Sequence, residues 1–309
     1  MNDAAGSPPG GPPGPPGAAF GSPDQGVTGC YRHPSRAAYV RCQRCGRPVC
    51  PECQIPAAVG VQCPDCVRQA VRQMPRTRSA LGAPISDGAP VVTITMIGLC
   101  VIAFVAQLAT GVTGGRVTQE LIMAPMLAWH EPWRMITGAF LHGGVMHLLL
   151  NMYALWVVGS FMEQVLGRSR LVALYLGSAL GGNAMVLIYF RLFDFTPQTG
   201  MSGTLGASGA VFGLFAATLI AGRRLGGNMS GIVAVIGINL VLSFTISGIS
   251  WQGHIGGLVA GGLMALIYVH APPSRRELVA WLVPLVTGMV MVGIVILTAS
   301  PWSAYPLVW

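Results

Sequence analysis

The sequence predicts an all-α polytopic membrane protein preceded by a small cysteine-rich module. Three observations carry this. Of 309 residues, 52% are hydrophobic and only 9% charged, against roughly 25% charged in soluble domains. Apolar runs near or above the roughly 18 residues that mark a membrane-spanning helix recur along the chain. They lie at about 89–111, 145–166, 171–190, 206–222, 229–248, 252–270 and 278–299. Finally, seven of the eight cysteines fall between positions 30 and 66. Buried helices of a soluble protein would not repeat at this length with so few polar faces.

Residues 1–28 are Pro/Gly-rich, cannot bury enough apolar surface to offset ordering entropy, and are predicted to be disordered. They lack the charged and apolar regions of a secretory signal, so the N-terminus is expected in the cytoplasm. Residues 29–67 form the cysteine module, and 68–88 a basic linker carrying Arg68, Arg72, Arg76 and Arg78. Six spans follow over 89–270. Residues 271–309 add a seventh span and an extracytoplasmic tail, with Trp302, Tyr305 and Trp309 as expected interfacial anchors. Loop arginines set the orientation. With the linker inside, the loops holding Arg168/Arg170, Arg223/Arg224 and Arg275/Arg276 are cytoplasmic, while the alternate loops hold only Arg116, Arg134 and Arg191. The expected location is the plasma membrane. The net charge of +8 comes entirely from arginine, which forms no long stripe. No nucleic-acid partner is expected.

The module contains four ligand pairs: Cys30-x2-His33, Cys42-x2-Cys45, Cys50-x2-Cys53 and Cys63-x2-Cys66. Eight ligands fill two tetrahedral zinc sites. Disulfides are the alternative, but a reducing compartment opposes them, and seven cysteines become an even ligand set only when His33 is counted. A segment this short builds little core, so metal would supply its folding energy. The pattern resembles a B-box-type zinc finger. That resemblance implies interleaved pairing, with Cys30, His33, Cys50 and Cys53 at one site and Cys42, Cys45, Cys63 and Cys66 at the other. Ending in two cysteines departs from the usual B-box, so sequential pairing stays open. The expected role is a surface for a cytoplasmic protein partner, or a regulator of the membrane part. Cys100, inside the first span, reads as a small buried hydrophobe.

Polar residues inside spans are costly and call for a reason. Ser208 lies in Gly206-Ala207-Ser208-Gly209, a pattern that also suits plain helix packing. His147 and Asn151, four apart, share one face of the second span. His254 opens the sixth span ahead of Gly257 and Gly261, and packing accounts for the glycines but not for the imidazole. The second, fourth and sixth spans all enter from the extracytoplasmic side, which brings these groups to one depth. A nucleophile, a base and donors in one layer are what acyl transfer needs.

At these residues the chain resembles the rhomboid intramembrane serine proteases over about 89–270. The resemblance rests on Trp133-Arg134, His142, His147-x3-Asn151, Gly159-x3-Glu163-x3-Gly167, Gly206-Ala207-Ser208-Gly209 and His254-x2-Gly257-x3-Gly261. It implies a six-helix core around an outward-opening wet cavity and a Ser208/His254 dyad without an aspartate. It also implies an oxyanion hole from the Ser208 N–H, His147 and Asn151, and substrates that are transmembrane proteins of the same bilayer. No cofactor is expected for the chemistry. Phe212 stands where many members have a tyrosine stacking on the catalytic histidine. Trp133, Arg134 and Glu163 are expected to be structural. A catalytically silent relative that binds membrane clients, with the zinc module as adaptor, is the alternative. A transporter is disfavoured by the lack of paired broken helices.

Overall fold

The structure is a computed structural model that describes residues 28–74, 78–84 and 88–299. The Pro/Gly-rich tail and the three aromatic anchors at the C-terminus lie outside the described residues. The chain divides into two compact units, Met1–Pro75 and Arg76–Trp309.

The first unit is built from three minimal antiparallel hairpins, β1 (Thr28–Gly29) with β2 (Ala37–Ala38), β3 (Val40–Arg41) with β4 (Pro48–Val49), and β5 (Ile55–Pro56) with β6 (Val61–Gln62). Helix α1 (Pro64–Gln73) closes it, with proline at its first turn and the Cys63 sulfur accepting from the Cys66 N–H. The helix therefore runs past position 67 into the stretch expected to be linker. The buried cluster consists of six cysteines with only Ala38 and Val49, and Cys45 is exposed.

The second unit is helical. It contains α2 (Val91–Thr110), two short loop helices α3 (Arg116–Leu121) and α4 (Arg134–Thr137), and α5 (Val145–Ala154), which runs through a widened turn at Leu155–Gly159 into α6 (Ser160–Leu166). Then come α7 (Arg168–Phe193), the short α8 (Pro197–Met201), α9 (Ser208–Arg224), α10 (Ser230–Thr245), α11 (Trp251–His270) and α12 (Arg276–Ala299). Among the described residues, five helical segments are long and apolar enough to cross a membrane. The expected fourth and fifth spans are shorter, 17 residues for α9 and 16 for α10.

The reason α9 is short is visible in its packing. A Cβ on Gly209 would lie 3.8 Å from the Gly182 Cα, and one on Gly213 would strike the Ser178 side chain at 2.0 Å. So α9 runs antiparallel to α7 and starts level with Gly182, about three helical turns before α7 ends. Ser208 accordingly sits inside the thickness of the helical layer. Helix α11 runs parallel to α9, and glycine lets the two backbones meet. A Cβ on Gly257 would lie 2.0 Å from the Gly209 carbonyl oxygen, and one on Gly261 2.4 Å from the Gly213 Cα.

Glu163 holds the opposite end of the bundle. Its carboxylate accepts from the Val92 N–H (3.1 Å), the Thr93 N–H (2.9 Å) and the Thr93 hydroxyl (3.0 Å), capping the first turn of α2, and Arg168 pairs with it at 3.6 Å. Part of the expected linker is docked nearby. Leu81 and Ala83 are buried, Arg170 donates to the Leu81 carbonyl (3.1 Å), and the Ser79 hydroxyl donates to the Val165 carbonyl (2.8 Å).

Candidate active site

Ser208 is the first residue of α9. The preceding strand-like segment is pinned: Thr204 donates to the Met123 carbonyl (2.7 Å), Met123 donates back (3.2 Å), and Gly206 N–H donates to the Gly138 carbonyl (2.9 Å). Arg134 holds the loop that supplies Met123. Only 3% exposed, its guanidinium donates to the Glu131 carboxylate and to the Gln119 and Ile122 carbonyls. Its neighbour Trp133 is exposed. Gly206 has φ +131°, a conformation L side chains rarely adopt, and turns the chain into the helix.

The Ser208 side chain lines a recess with Gly138, Ala139, Gly182, Gly206 and Gly253. Val211 is the first residue of α9 to bond backwards, to the Ala207 carbonyl at 2.9 Å. The N–H groups of Ser208, Gly209 and Ala210 thus have no backbone partner among the described residues, at the positive end of the helix dipole.

His147 meets this site edge-on. A Cβ at position 206 would lie 2.8 Å from His147 Cε1, 3.0 Å from its Nε2 and 3.5 Å from the Ser208 hydroxyl oxygen. Gly206 therefore supplies the space in which imidazole and hydroxyl converge. His147 Nδ1 accepts from the Gly143 N–H at 3.2 Å. A neutral ring accepting at Nδ1 carries its proton on Nε2, so the edge presented to the recess is a donor. His142, fully buried, packs edge-on against His147 with centroids 5.2 Å apart. Asn151 is buried, and its amide donates to the His147 carbonyl (2.8 Å), which joins it to His147 rather than to Ser208.

His254 is buried on α11 and stacks on Phe212, with centroids 4.2 Å apart and planes 15° from parallel. Phe212 lies one turn after Ser208 on α9, so the phenyl ring takes the stacking role with no hydroxyl. Among the described residues no hydrogen bond joins Ser208 to His254. The imidazole instead lies against Ser243 of α10, with Oγ 2.6 Å from Nδ1.

In the first unit, Cys30, His33, Cys50 and Cys53 bring one ligand atom each within 4.8 Å of the others, and Cys42, Cys45, Cys63 and Cys66 do the same. The pairing is interleaved. His33 Nδ1 lies 3.4 Å from both Cys50 and Cys53 sulfurs, and all eight cysteines are free thiols. Burial opposes ionisation of Cys30 and Cys42, yet surrounding backbone N–H donors bring both thiols down to about 6. Burial and the neighbouring thiols drive Cys53 up to about 11 and Cys66 up to about 12. The Cys45 thiol is lowered as well, chiefly by the Arg47 backbone N–H, so each cluster holds at least one thiol that ionises readily beside one that resists, a donor set suited to a dication.

Comparison with known proteins places the membrane unit. A family described as the rhomboid domain matches residues 129–271. The putative rhomboid protease YdcA of Bacillus subtilis (strain 168) is 31% identical over 150 residues, which cover 47% of this chain and 71% of that protein. The chain belongs to the rhomboid family. Rhomboid protease GluP of the same organism is 32% identical over 211 residues, 64% of this chain and 38% of the relative, and RHOMBOID-like protein 5 of Arabidopsis thaliana is 33% identical over 149 residues, 46% of each. The chain thus spans less than half the length of these two relatives. As a rhomboid it is a multi-pass membrane protein. Sequence reasoning had no signal for two parts of its site. The pinning of Thr204 by Met123 depends on loops that pair only in three dimensions. Ser243 continues the half-buried Ile232, Ile236 and Leu240 face of an otherwise exposed helix, and a serine bonded to its own helix looks the same in any apolar run.

Proposed function

We propose that this protein is an intramembrane serine endopeptidase, cutting a peptide bond in or near the transmembrane segment of other membrane proteins. The observation that carries this reading is the convergence at Gly206, where the Ser208 hydroxyl, the donor edge of His147 and the unspent N–H groups of α9 meet beside a recess lined by small residues. Ser208 attacks the carbonyl carbon of a locally unwound substrate helix. His254 takes the hydroxyl proton and returns it to the leaving amine, and water then hydrolyses the acyl-enzyme. The Ser208 N–H, the His147 Nε2–H and the second N–H of the Asn151 amide stabilise the oxyanion, the first Asn151 N–H being held by the His147 carbonyl one turn back on α5. For the dyad to act, His254 and Ser208 must close to hydrogen-bond distance on substrate entry, a tightening common in enzymes free of substrate. The N-terminal clusters bind two structural Zn²⁺ ions and play no part in the chemistry. The N-terminus is cytoplasmic, the site opens outward, and the protein resides in the plasma membrane.

A client-binding, catalytically silent rhomboid is the second reading, favoured by the open Ser208–His254 contact. A fluorophosphonate probe in detergent separates them. Wild type labels, Ser208→Ala does not, and His254→Ala is slowed by at least about 10³-fold. A wild type that stays unlabelled at saturating probe supports the silent reading.

A further inference from the structure

Ser243 is the one buried residue of α10 among those described, 3% exposed between Leu242 at 42% and Phe244 at 60%. Its hydroxyl oxygen has two close neighbours: the Asn239 carbonyl oxygen at 2.6 Å, one turn back on the same helix, and His254 Nδ1 at 2.6 Å. A serine hydroxyl owns one proton. The carbonyl has none to give, and two oxygens at 2.6 Å with no proton between them repel. The hydroxyl proton therefore goes to Asn239, and the remaining contact requires Nδ1 of His254 to carry a proton that it donates to Ser243. Nε2 is left with its lone pair.

The two histidines are thus held in opposite tautomers by their Nδ1 partners. At His147 a backbone N–H from Gly143 makes Nδ1 the acceptor and Nε2 the donor. At His254 a hydroxyl already committed to a carbonyl makes Nδ1 the donor and Nε2 the base. An oxyanion donor and a general base need these two states. We propose that Ser243 is a positioning residue for the reaction. It fixes the tautomer and ring plane of His254 from one side while Phe212 holds its face from the other. Ser243 takes the place of the carboxylate that orients the base in a three-residue catalytic set. This inference rests on the endopeptidase reading of Ser208 and His254.

The test uses full-length protein in detergent, with a fluorophosphonate probe titrated to give the maximal labelling rate and the half-saturating concentration. Wild type labels and Ser208→Ala does not. Ser243→Ala lowers the maximal rate about 10- to 100-fold, with half-saturation and melting temperature unchanged. Ser243→Thr, which restores the hydroxyl, recovers the rate to within a few-fold of wild type. Should Ser243→Ala not purify folded, Ser243→Cys replaces it, keeping the size with a poor acceptor, and is slowed likewise. Wild-type labelling in Ser243→Ala overturns the positioning role and leaves the endopeptidase reading intact. So does a loss that appears in half-saturation or melting temperature, or one that Ser243→Thr does not repair. Failure of wild type itself to label overturns the endopeptidase reading and this inference with it.

Discussion

The two units of this chain are held together in opposite ways. In the first, the buried cluster is six cysteines of the two candidate metal clusters with Ala38 and Val49, and among the described residues the regular structure is three hairpins of two-residue strands, one 3-10 turn at Pro51–Cys53 and one α-helix. In the second, α7, α9 and α11 close on one another through bare glycine backbone, with Gly209, Gly213, Gly257 and Gly261 at contacts where a methyl group would overlap a neighbour or crowd it. The first gathers its candidate metal ligands at a few points marked in the sequence. The second depends on many weak contacts that exist only when whole helices are in register.

The sharpest break in the comparison is metal removal. Chelation should unfold the first unit, because structural zinc contributes about 10–16 kcal/mol in modules of this kind, and should leave the melting of the membrane unit unchanged. Amide exchange over residues 30–66 reads the first, and thermal unfolding in detergent the second. Protection that persists in the module after complete chelation would sink the idea. Acid should act in the same direction. The Cys30 and Cys42 thiols are lowered from 9.0 to about 6, so their contribution is complete above 9.0, declines as pH falls, and is gone once pH passes below about 6.

Next in size, Gly257→Leu should cost the membrane unit about 3 kcal/mol or more, since the obstructing atom is the Gly209 carbonyl oxygen rather than a movable side chain. A melting temperature within a degree or two of wild type would show that α9 and α11 can separate freely. Glu163→Ala comes third. It strips the cap from α2 and leaves one buried N–H, of Thr93, and one half-buried N–H, of Val92, to find other partners, a loss of about 1–3 kcal/mol, while metal content stays unchanged. The smallest effect is expected at Gly237, on the exposed side of α10, where an added Cβ meets nothing within 4 Å. Gly237→Ala should be neutral or stabilising by up to about 1 kcal/mol. Destabilisation there would mean that the Gly237 side of α10 is packed as well as the Ile232, Ile236 and Leu240 side.

The sequence by itself marked the candidate metal ligands, because a Cys-x2-Cys pair places both sulfurs on one tight turn whatever surrounds it. It also determined the helical membrane architecture, because lipid forces the backbone to satisfy itself, and it marked His147, Ser208 and His254 as polar groups needing a reason. Tertiary structure alone decided which ligand pairs share a site. It set where α9 begins within the layer, and it joined Ser243 of α10 to His254 of α11. Those outcomes turn on distances between segments that meet only by folding, and a helix crossing half a turn away would have given the same sequence different neighbours.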